Sequence, residues 1–253
     1  MNATHTLRTL LAGTSVALSL LAVSPAYAQV DTGSASASGA YAQLPLGLTL
    51  GPVPGSSVSG NGTDNDQILN VSVFPLLNID ALTTSATSNV DGSAGAKEAS
   101  SYAAITNLDL NVPLAFGLSF DVLESNSSVT GDAGSFSAIG SSNIVNLQGS
   151  GLLSGVNLTA IDGSANQVLL DLAGISIIAN RQTSSCDTFS CMITTDALYV
   201  NVANITSLTL ASTTAMLTGS TAPVPEPSTY AMMVVGLFGI GAMRKWKNRS
   251  AAC

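Results

Sequence analysis

Residues 108–122 have the sequence LDLNVPLAFGLSFDV, in which every second position from Leu108 to Val122 is apolar. An extended chain turns alternate side chains to opposite faces, so this pattern predicts β-structure with one buried face and one face in water. Pro113 has no N–H group to donate to a neighbouring strand. It therefore predicts either a division of the run into two strands or a position at a sheet edge.

Shorter alternating runs occur along the chain, at residues 44–50, 69–73, 168–172, 198–202 and 208–210. They are separated by turn-forming clusters of Gly, Ser, Asn and Asp, such as 60–66 and 92–95. Outside the two ends, no long stretch has a helical period. We therefore predict one all-β domain at 44–217, a sandwich of roughly ten strands. A β-solenoid is the alternative, disfavoured because no fixed repeat period is present.

Charge is scarce and unevenly placed. Charged residues make up 9% of the chain, against about 25% in ordinary globular domains. The stretch from Gln29 to Pro223 holds two basic residues, Lys97 and Arg181, and every acidic residue except Glu226, so its formal charge is −12. Nucleic-acid binding needs clustered Lys and Arg, so we expect none here.

The N-terminus has the pattern of a signal peptide over residues 1–28. Arg8 precedes an apolar run from Leu10 to Val23, and a small-x-small tripeptide, Ala26-Tyr27-Ala28, follows. Charge, apolar run and small residues in that order predict cleavage between Ala28 and Gln29. We expect a signal helix to be removed, leaving residues 29–43 as a flexible lead-in to the β domain. An uncleaved membrane anchor and a buried core helix are the alternatives.

The C-terminus has three successive parts over residues 224–250, preceded by a linker at 218–223. A Pro-rich segment comes first, an apolar segment at 230–243 follows, and a basic cluster ends the series. A helix over 230–243 would be about 21 Å long, short of a membrane core of about 30 Å. The positive-inside rule places the basic end in the cytoplasm. The residues concerned are Val224, Pro225, Glu226, Pro227, Ser228 and Thr229, then Arg244, Lys245, Lys247 and Arg249.

This ordered triplet resembles the PEP-CTERM sorting signal of exopolysaccharide-producing Gram-negative bacteria. The resemblance implies that an exosortase, a membrane-embedded protease, recognises and processes the tail. An ordinary membrane anchor behind a Pro-rich stalk is the alternative. The body also resembles the choice-of-anchor surface proteins, in residues 36–42 and in Thr195-Asp196-Ala197-Leu198-Tyr199-Val200. That second resemblance implies no catalytic residue.

Two cysteines, Cys186 and Cys191, lie close together in the predicted β domain. In an exported protein such a pair predicts a disulfide. A zinc site would need further ligands, and the only histidine, His5, lies in the signal segment. Its position also removes the partner that a catalytic triad or a nucleophilic cysteine needs. We therefore expect no metal, no cofactor and no enzyme activity.

Three weaker patterns involve carboxylates. Asp31-Thr32-Gly33-Ser34 matches an aspartic-protease loop by its letters, but it follows no predicted strand. Asp64 and Asp66 offer oxygen ligands for calcium without the EF-hand spacing, and an exposed turn is the simpler interpretation. Glu98 and Glu124 are the only glutamates of the body, and a glycosidase needs two carboxylates close together.

The sequence therefore predicts an exported, non-catalytic protein of the cell surface or extracellular matrix. Its expected partners are the secretion translocon, signal peptidase, the inner membrane in transit, and an exosortase. A module that binds carbohydrate, as in exopolysaccharide, is the second hypothesis. The body has few aromatic residues and no tryptophan, which disfavours sugar binding. An extracellular hydrolase is the third hypothesis.

Overall fold

The computed structural model describes residues 29–43, 49–73, 77–112, 116–132, 135–151, 153–154, 158, 161–172, 174–202 and 206–220, and the single position 237. These residues belong almost entirely to one compact unit, Ala28–Thr221. The predicted signal peptide at 1–28 lies outside the described residues. So does the sorting tail at 224–250, apart from Leu237. Among the residues that are described, no helix has the length and apolar character needed to cross a membrane.

The described part of the chain is nearly all β-strand, which confirms the predicted fold class. Its strands are β1 (Gln29–Gln43), β2 (Thr49–Ser59), β3 (Asn61–Val73), β4 (Leu77–Asn89), β5 (Lys97–Val112), β6 (Phe116–Asp132), β7 (Ser135–Val145), β8 (Gln148–Gly151), β9 (Gln167–Leu172), β10 (Ile175–Cys186), β11 (Ser190–Val202) and β12 (Thr206–Ser220). The alternating run of 108–122 divides around Pro113, as expected, because β5 ends at Val112 and β6 begins at Phe116.

The strands form two antiparallel sheets packed face to face. We call the first, in the order β2-β1-β12-β11-β10-β9, sheet A, and the second, in the order β3-β4-β5-β6-β7, sheet B. Strand β8 pairs with β6 beside β7. Most neighbours are also consecutive in the chain, and β12 returns to pair with β1. The first and last strands are thus held together in the middle of sheet A.

The N-terminal segment differs from the expected flexible lead-in. Residues 29–43 form β1, which pairs with β12 on one side and with β2 on the other. Apart from Val30, its inward positions are occupied by small residues, including Ala35, Ala37, Ala40 and Ala42, each at most 5% exposed. Alanine and serine alternate here without large apolar side chains, so the strand pattern is hard to recognise. The expected linker at 218–223 also begins later, because β12 continues to Ser220.

The inward alternation is reset part of the way along many strands. Successive inward residues are then three positions apart instead of two, as in Ile105 and Leu108, which are both buried. Asn107 lies between them with a φ of 49°, in the left-handed region that Asn tolerates better than most residues. The same spacing is found at Ile79 and Leu82 and at Phe120 and Leu123. Thr195 and Leu198, and Leu210 and Thr213, are also buried three positions apart, but Asp196, Ala197 and Ala211 between them are buried as well.

Because of this reset, several residues are buried or exposed contrary to what strict alternation predicts. Val122 was expected to be buried in the run from Leu108, but Leu123 takes the core position and is fully buried. Leu69, expected on a buried face, is 60% exposed and precedes Asn70, another residue with positive φ. Val168 and Leu172, on strand β9 at the border of sheet A, are also exposed.

The interior holds two apolar clusters with a layer of buried hydroxyl groups between the sheets. The larger cluster includes Leu82, Leu123 and Leu198, and the smaller includes Val129, Ile193 and Leu217. Ser125 and Ser127 of β6 bond to Thr195 of β11 and Thr213 of β12. These bonds join sheet B to sheet A, and they include bonds to backbone carbonyl oxygens of the opposite sheet. Small residues and hydroxyls therefore replace much of the usual aliphatic core.

Candidate functional site

The residues predicted for sorting cannot be placed. Residues 224–229 of the Pro-rich segment and the basic residues Arg244, Lys245, Lys247 and Arg249 all lie outside the described residues. Of the predicted signal-cleavage pair, Ala28 is likewise outside, while Gln29 is the first residue of β1. A cut at that position would leave β1 whole.

Cys186 and Cys191 are brought together at the end of the β10–β11 hairpin. They are register partners, with their Cα atoms 4.0 Å apart. Asp187 organises the turn between them, since its carboxylate accepts backbone N–H bonds from Phe189 and Ser190 at 2.7 Å each. These bonds hold the pKa of Asp187 below its usual range. The position suits the predicted disulfide.

Both basic residues of the β domain are paired with aspartates. Lys97 is 6% exposed, and its ammonium contacts the carboxylate of Asp91 and the hydroxyl of Ser93. Hydrogen bonds from Lys97 and Ser93 hold the pKa of Asp91 well below its usual range. Arg181 donates through Nε to Asp196 at 2.8 Å and stacks over the ring of Tyr199 at 3.6 Å. Neither cation is left to recognise an anionic ligand.

The weaker carboxylate patterns do not assemble into catalytic sites. Glu98 pairs in register with Thr130, six residues along β6 from Glu124. Six residues of strand span about 20 Å, too far for the carboxylate pair of a glycosidase. Asp31 is exposed on β1 and not in a loop that follows a strand. Among the described residues, no three His, Cys, Asp or Glu side chains are grouped to hold a metal ion.

Asp64 and Asp66 lie on strand β3 and not in the expected turn. The turn between β2 and β3 is confined to Gly60, whose N–H donates to the carbonyl of Gly33. Asp64 accepts a bond from the backbone N–H of Ser57 at 2.8 Å. Its carboxylate thus serves the contact between the neighbouring strands β2 and β3.

The outer surface of sheet B carries the most organised set of polar side chains that the structure describes. Two adjacent rows cross five strands, and none of their ten side chains is buried. They hold four amides, three hydroxyls, one carboxylate, one alanine and one tyrosine. We call these ten residues the Tyr102 face. The rows are Asn65–Ser85–Tyr102–Asn126–Ser141 and Gln67–Thr83–Ala104–Glu124–Asn143.

Glu124 fixes two of its neighbours on this face. Its Oε1 accepts a bond from the hydroxyl of Tyr102 at 2.7 Å, and its Oε2 accepts one from Nδ2 of Asn143 at 3.0 Å. These bonds lower the pKa of Glu124. Partial burial, followed by the bond to Glu124 and its negative charge, raises the pKa of Tyr102 from 10.0 to about 12.

This contact predicts a pH effect that can be measured by tyrosinate absorbance. The pKa of Tyr102 is raised in the folded chain, so the neutral phenol favours folding below its ordinary pKa. We expect this contribution to the free energy of unfolding to be lost as the pH rises from about 10 to about 12. The difference between wild type and Tyr102→Phe isolates the titration of Tyr102, and Glu124→Gln should move it back towards 10.0. An ordinary pKa for Tyr102 in the wild type would contradict the contact.

Sheet A has a shallow depression on its outer surface. It is about 460 Å³ in volume and is bordered by β1, β2 and β12. The lining is mostly hydroxyl groups, with no aromatic ring and no charged group among them. Its residues are Ser36, Ala37, Ser38, Pro52, Gly55, Ser56, Ser57, Ser212 and Thr214. The depression therefore has fewer kinds of group that could orient a bound ligand than the Tyr102 face has.

Comparison with known proteins identifies a sorting motif in the C-terminal tail. Residues 223–245 match the PEP-CTERM protein-sorting motif. No curated protein matches the sequence. The β-rich body has no match that supports the choice-of-anchor resemblance, which stays a prediction.

Two solved structures show distant likenesses. One is Ail, the attachment invasion locus protein of Yersinia pestis, at 7% identity over 76% of this chain and 100% of that chain, with a TM-score of 0.18. The other is Neisserial surface protein A, at 13% identity over 74% of this chain and 96% of that chain, with a TM-score of 0.17. TM-scores this low carry no argument about fold or function.

Proposed function

We propose that this chain is an exported, non-catalytic protein of the cell surface or extracellular matrix, which an exosortase sorts and processes through its tail. The observation that carries the proposal is the PEP-CTERM motif at residues 223–245. It begins three residues after β12 ends at Ser220. A cut within or beyond the motif would therefore leave every strand of the β domain intact.

The β domain supports a role in binding or structure and not in catalysis. The two body glutamates are held apart, and both basic residues are engaged in ion pairs. Its exposed strands instead carry hydroxyl and amide groups, which remain soluble without many charges. The formal charge of −12 between Gln29 and Pro223 further favours solubility outside the cell.

Intact-mass spectrometry of the protein recovered from cells and from the medium tests the processing. We expect a mature chain that begins at Gln29 and that has lost part of its tail. Alkylation without reduction should add no mass at Cys186 or Cys191, because export to an oxidising compartment lets the pair form a disulfide.

Reduction before alkylation is the matched control, since it should make both cysteines reactive. A recovered chain that retains Met1, or that keeps its whole tail in every fraction, would contradict the processing. Full labelling of both cysteines without reduction would contradict the disulfide alone.

A further inference from the structure

The Tyr102 face is a surface of polar side chains whose one aromatic side chain is held by a hydrogen bond to Glu124. Four inter-strand spacings of about 4.8 Å give each row a length of about 19 Å. The hydroxyl of Tyr102 reaches Glu124, whose register partner on β5 is Ala104. Ala104 lies two residues beyond Tyr102, so the bond to Glu124 directs the phenol diagonally towards β6, next to this small residue. The Tyr102 side chain remains partly exposed.

The groups around the ring are suited to hydroxyl-bearing ligands. Asn126, the register partner of Tyr102, is exposed, as are Asn65 and Ser141 in the same row. Each amide has donors and an acceptor, and each hydroxyl can act as either. The carboxylate of Glu124 is an acceptor, and bonds to an ionised group are stronger than neutral ones. A ring face beside such groups can cover the apolar face of a sugar while its edges are hydrogen-bonded.

The charges of the Tyr102 face and of the whole domain limit the kind of ligand that this face can bind. Glu124 is the only ionisable carboxylate of the Tyr102 face, and no Lys or Arg belongs to it. The two basic residues of the domain, Lys97 and Arg181, are paired with aspartates elsewhere. An anionic polymer would therefore meet repulsion with no compensating ion pair, both here and from the acidic domain as a whole. Within its ten residues, the face offers a protein partner only Tyr102 and Ala104 as apolar anchors; the exposed Leu69, Ile139 and Val145 lie beside the face and outside it.

We infer that the Tyr102 face binds a neutral polysaccharide. The ring of Tyr102 stacks on one sugar, Glu124 holds the ring and accepts from sugar hydroxyls, and the flanking amides bond to neighbouring sugars along the row. The inference rests on the proposed function only in placing this face outside the cell. It can fail while sorting and processing proceed as proposed.

Affinity electrophoresis of the exported protein, recovered as it is processed by the cell, tests this assignment. Native gels contain dextran, galactomannan or xyloglucan as neutral polymers, with alginate as the anionic and glycol chitosan as the cationic comparison. We expect at least one neutral polymer to retard the wild type. Tyr102→Ala should weaken that binding by about tenfold or more, which corresponds to about 1.4 kcal/mol. Tyr102→Phe, which keeps the ring, should retain most of it.

Tyr41→Ala is the matched control, because Tyr41 is a partly exposed tyrosine on sheet A. It should bind as the wild type does. Circular dichroism checks that each variant keeps its β-structure, and Asn126→Ala supplies a second variant of the face if Tyr102→Ala does not fold. Equal binding by the wild type and both face variants would overturn the assignment. The assignment would also be overturned if none of the three neutral polymers retarded the wild type, or if glycol chitosan alone retarded it.

Discussion

A variant in which alanines replace Pro225, Glu226 and Pro227 is expected to accumulate in the membrane with its whole tail attached. The three residues lie within the PEP-CTERM motif. Both prolines lack an N–H group and restrict the residues before them to extended conformations. We expect an extended, acid-bearing segment to be what the protease recognises, so its loss should block maturation almost completely.

The apolar segment at 230–243 should still insert in this variant, because it is unchanged. At about 1.5 Å per residue it is about 21 Å long as a helix, against a membrane core of about 30 Å. A short segment can be accommodated by local thinning and by basic side chains that reach the interface. Such a segment suits temporary lodging before cleavage better than a permanent anchor.

Fractionation and a size shift on a gel, in a host with its own exosortase, measure the result. The control replaces Arg244, Lys245, Lys247 and Arg249 and leaves the Pro-rich segment intact; it should disturb orientation and retention instead of cleavage. The β domain should remain folded in both variants, because β12 pairs with both β1 and β11 and ends before the motif. If the alanine variant matures and partitions like the wild type, the tail is an ordinary anchor.

Strand content could be predicted from the sequence because alternation is a local property. The run at 108–122 gave two strands divided at Pro113, and the structure has β5 and β6 on either side of it. The lead-in at 29–43 was missed for the opposite reason. Apart from Val30, its inward residues are alanines and glycines that bury little surface, and its strand character depends on pairing with β12, far away in the sequence.

A signal for the reset of alternation was present in the sequence but was not recognised. An apolar residue or threonine, two residues that include Asp or Asn, and then leucine occur six times. The leucine is buried in five of these segments, at Leu82, Leu108, Leu123, Leu147 and Leu198, and is exposed in the sixth, at Leu172. The two intervening residues remain on the outside in most of these segments, where Asn107 donates to Asp80 at 2.8 Å. A spacing of three positions between inward residues at these segments, instead of two, would have placed Leu123 correctly in the core.

The Tyr102 face could not be predicted from the sequence, because its contacts depend on long-range register. Tyr102 and Glu124 are 22 residues apart, and Glu124 and Asn143 are 19 apart. A shift of one residue in the pairing of β5 with β6 would turn one of the two partners into the interior. The small number of aromatic residues disfavours sugar binding at the level of the sequence, but it does not show that the register places Ser85 and Asn126 on either side of Tyr102.

The hydroxyl layer also escaped prediction, because Ser and Thr usually indicate surface. Thr213 is at its centre and is 1% exposed. Its hydroxyl lies 2.7 Å from Oγ of Ser125 and 2.9 Å from Oγ of Ser127, and it donates to the carbonyl oxygen of Thr195 at 3.2 Å. Buried hydroxyls cost free energy unless they are bonded, so the layer stabilises the domain only while every member has partners.

Thr213→Val keeps the shape of this side chain and removes its hydroxyl, so we expect the free energy of unfolding to fall by about 1 to 3 kcal/mol. Ser125 can still donate to the carbonyl of Thr195, and Ser127 to that of Thr213, but each loses one of its partners. Thr209→Val is the matched control: Thr209 is partly exposed on the same strand. That change should stay within about 0.5 kcal/mol. Urea denaturation of the exported protein measures both variants, and equal stabilities would show that the two sheets do not depend on hydroxyl bonds between them.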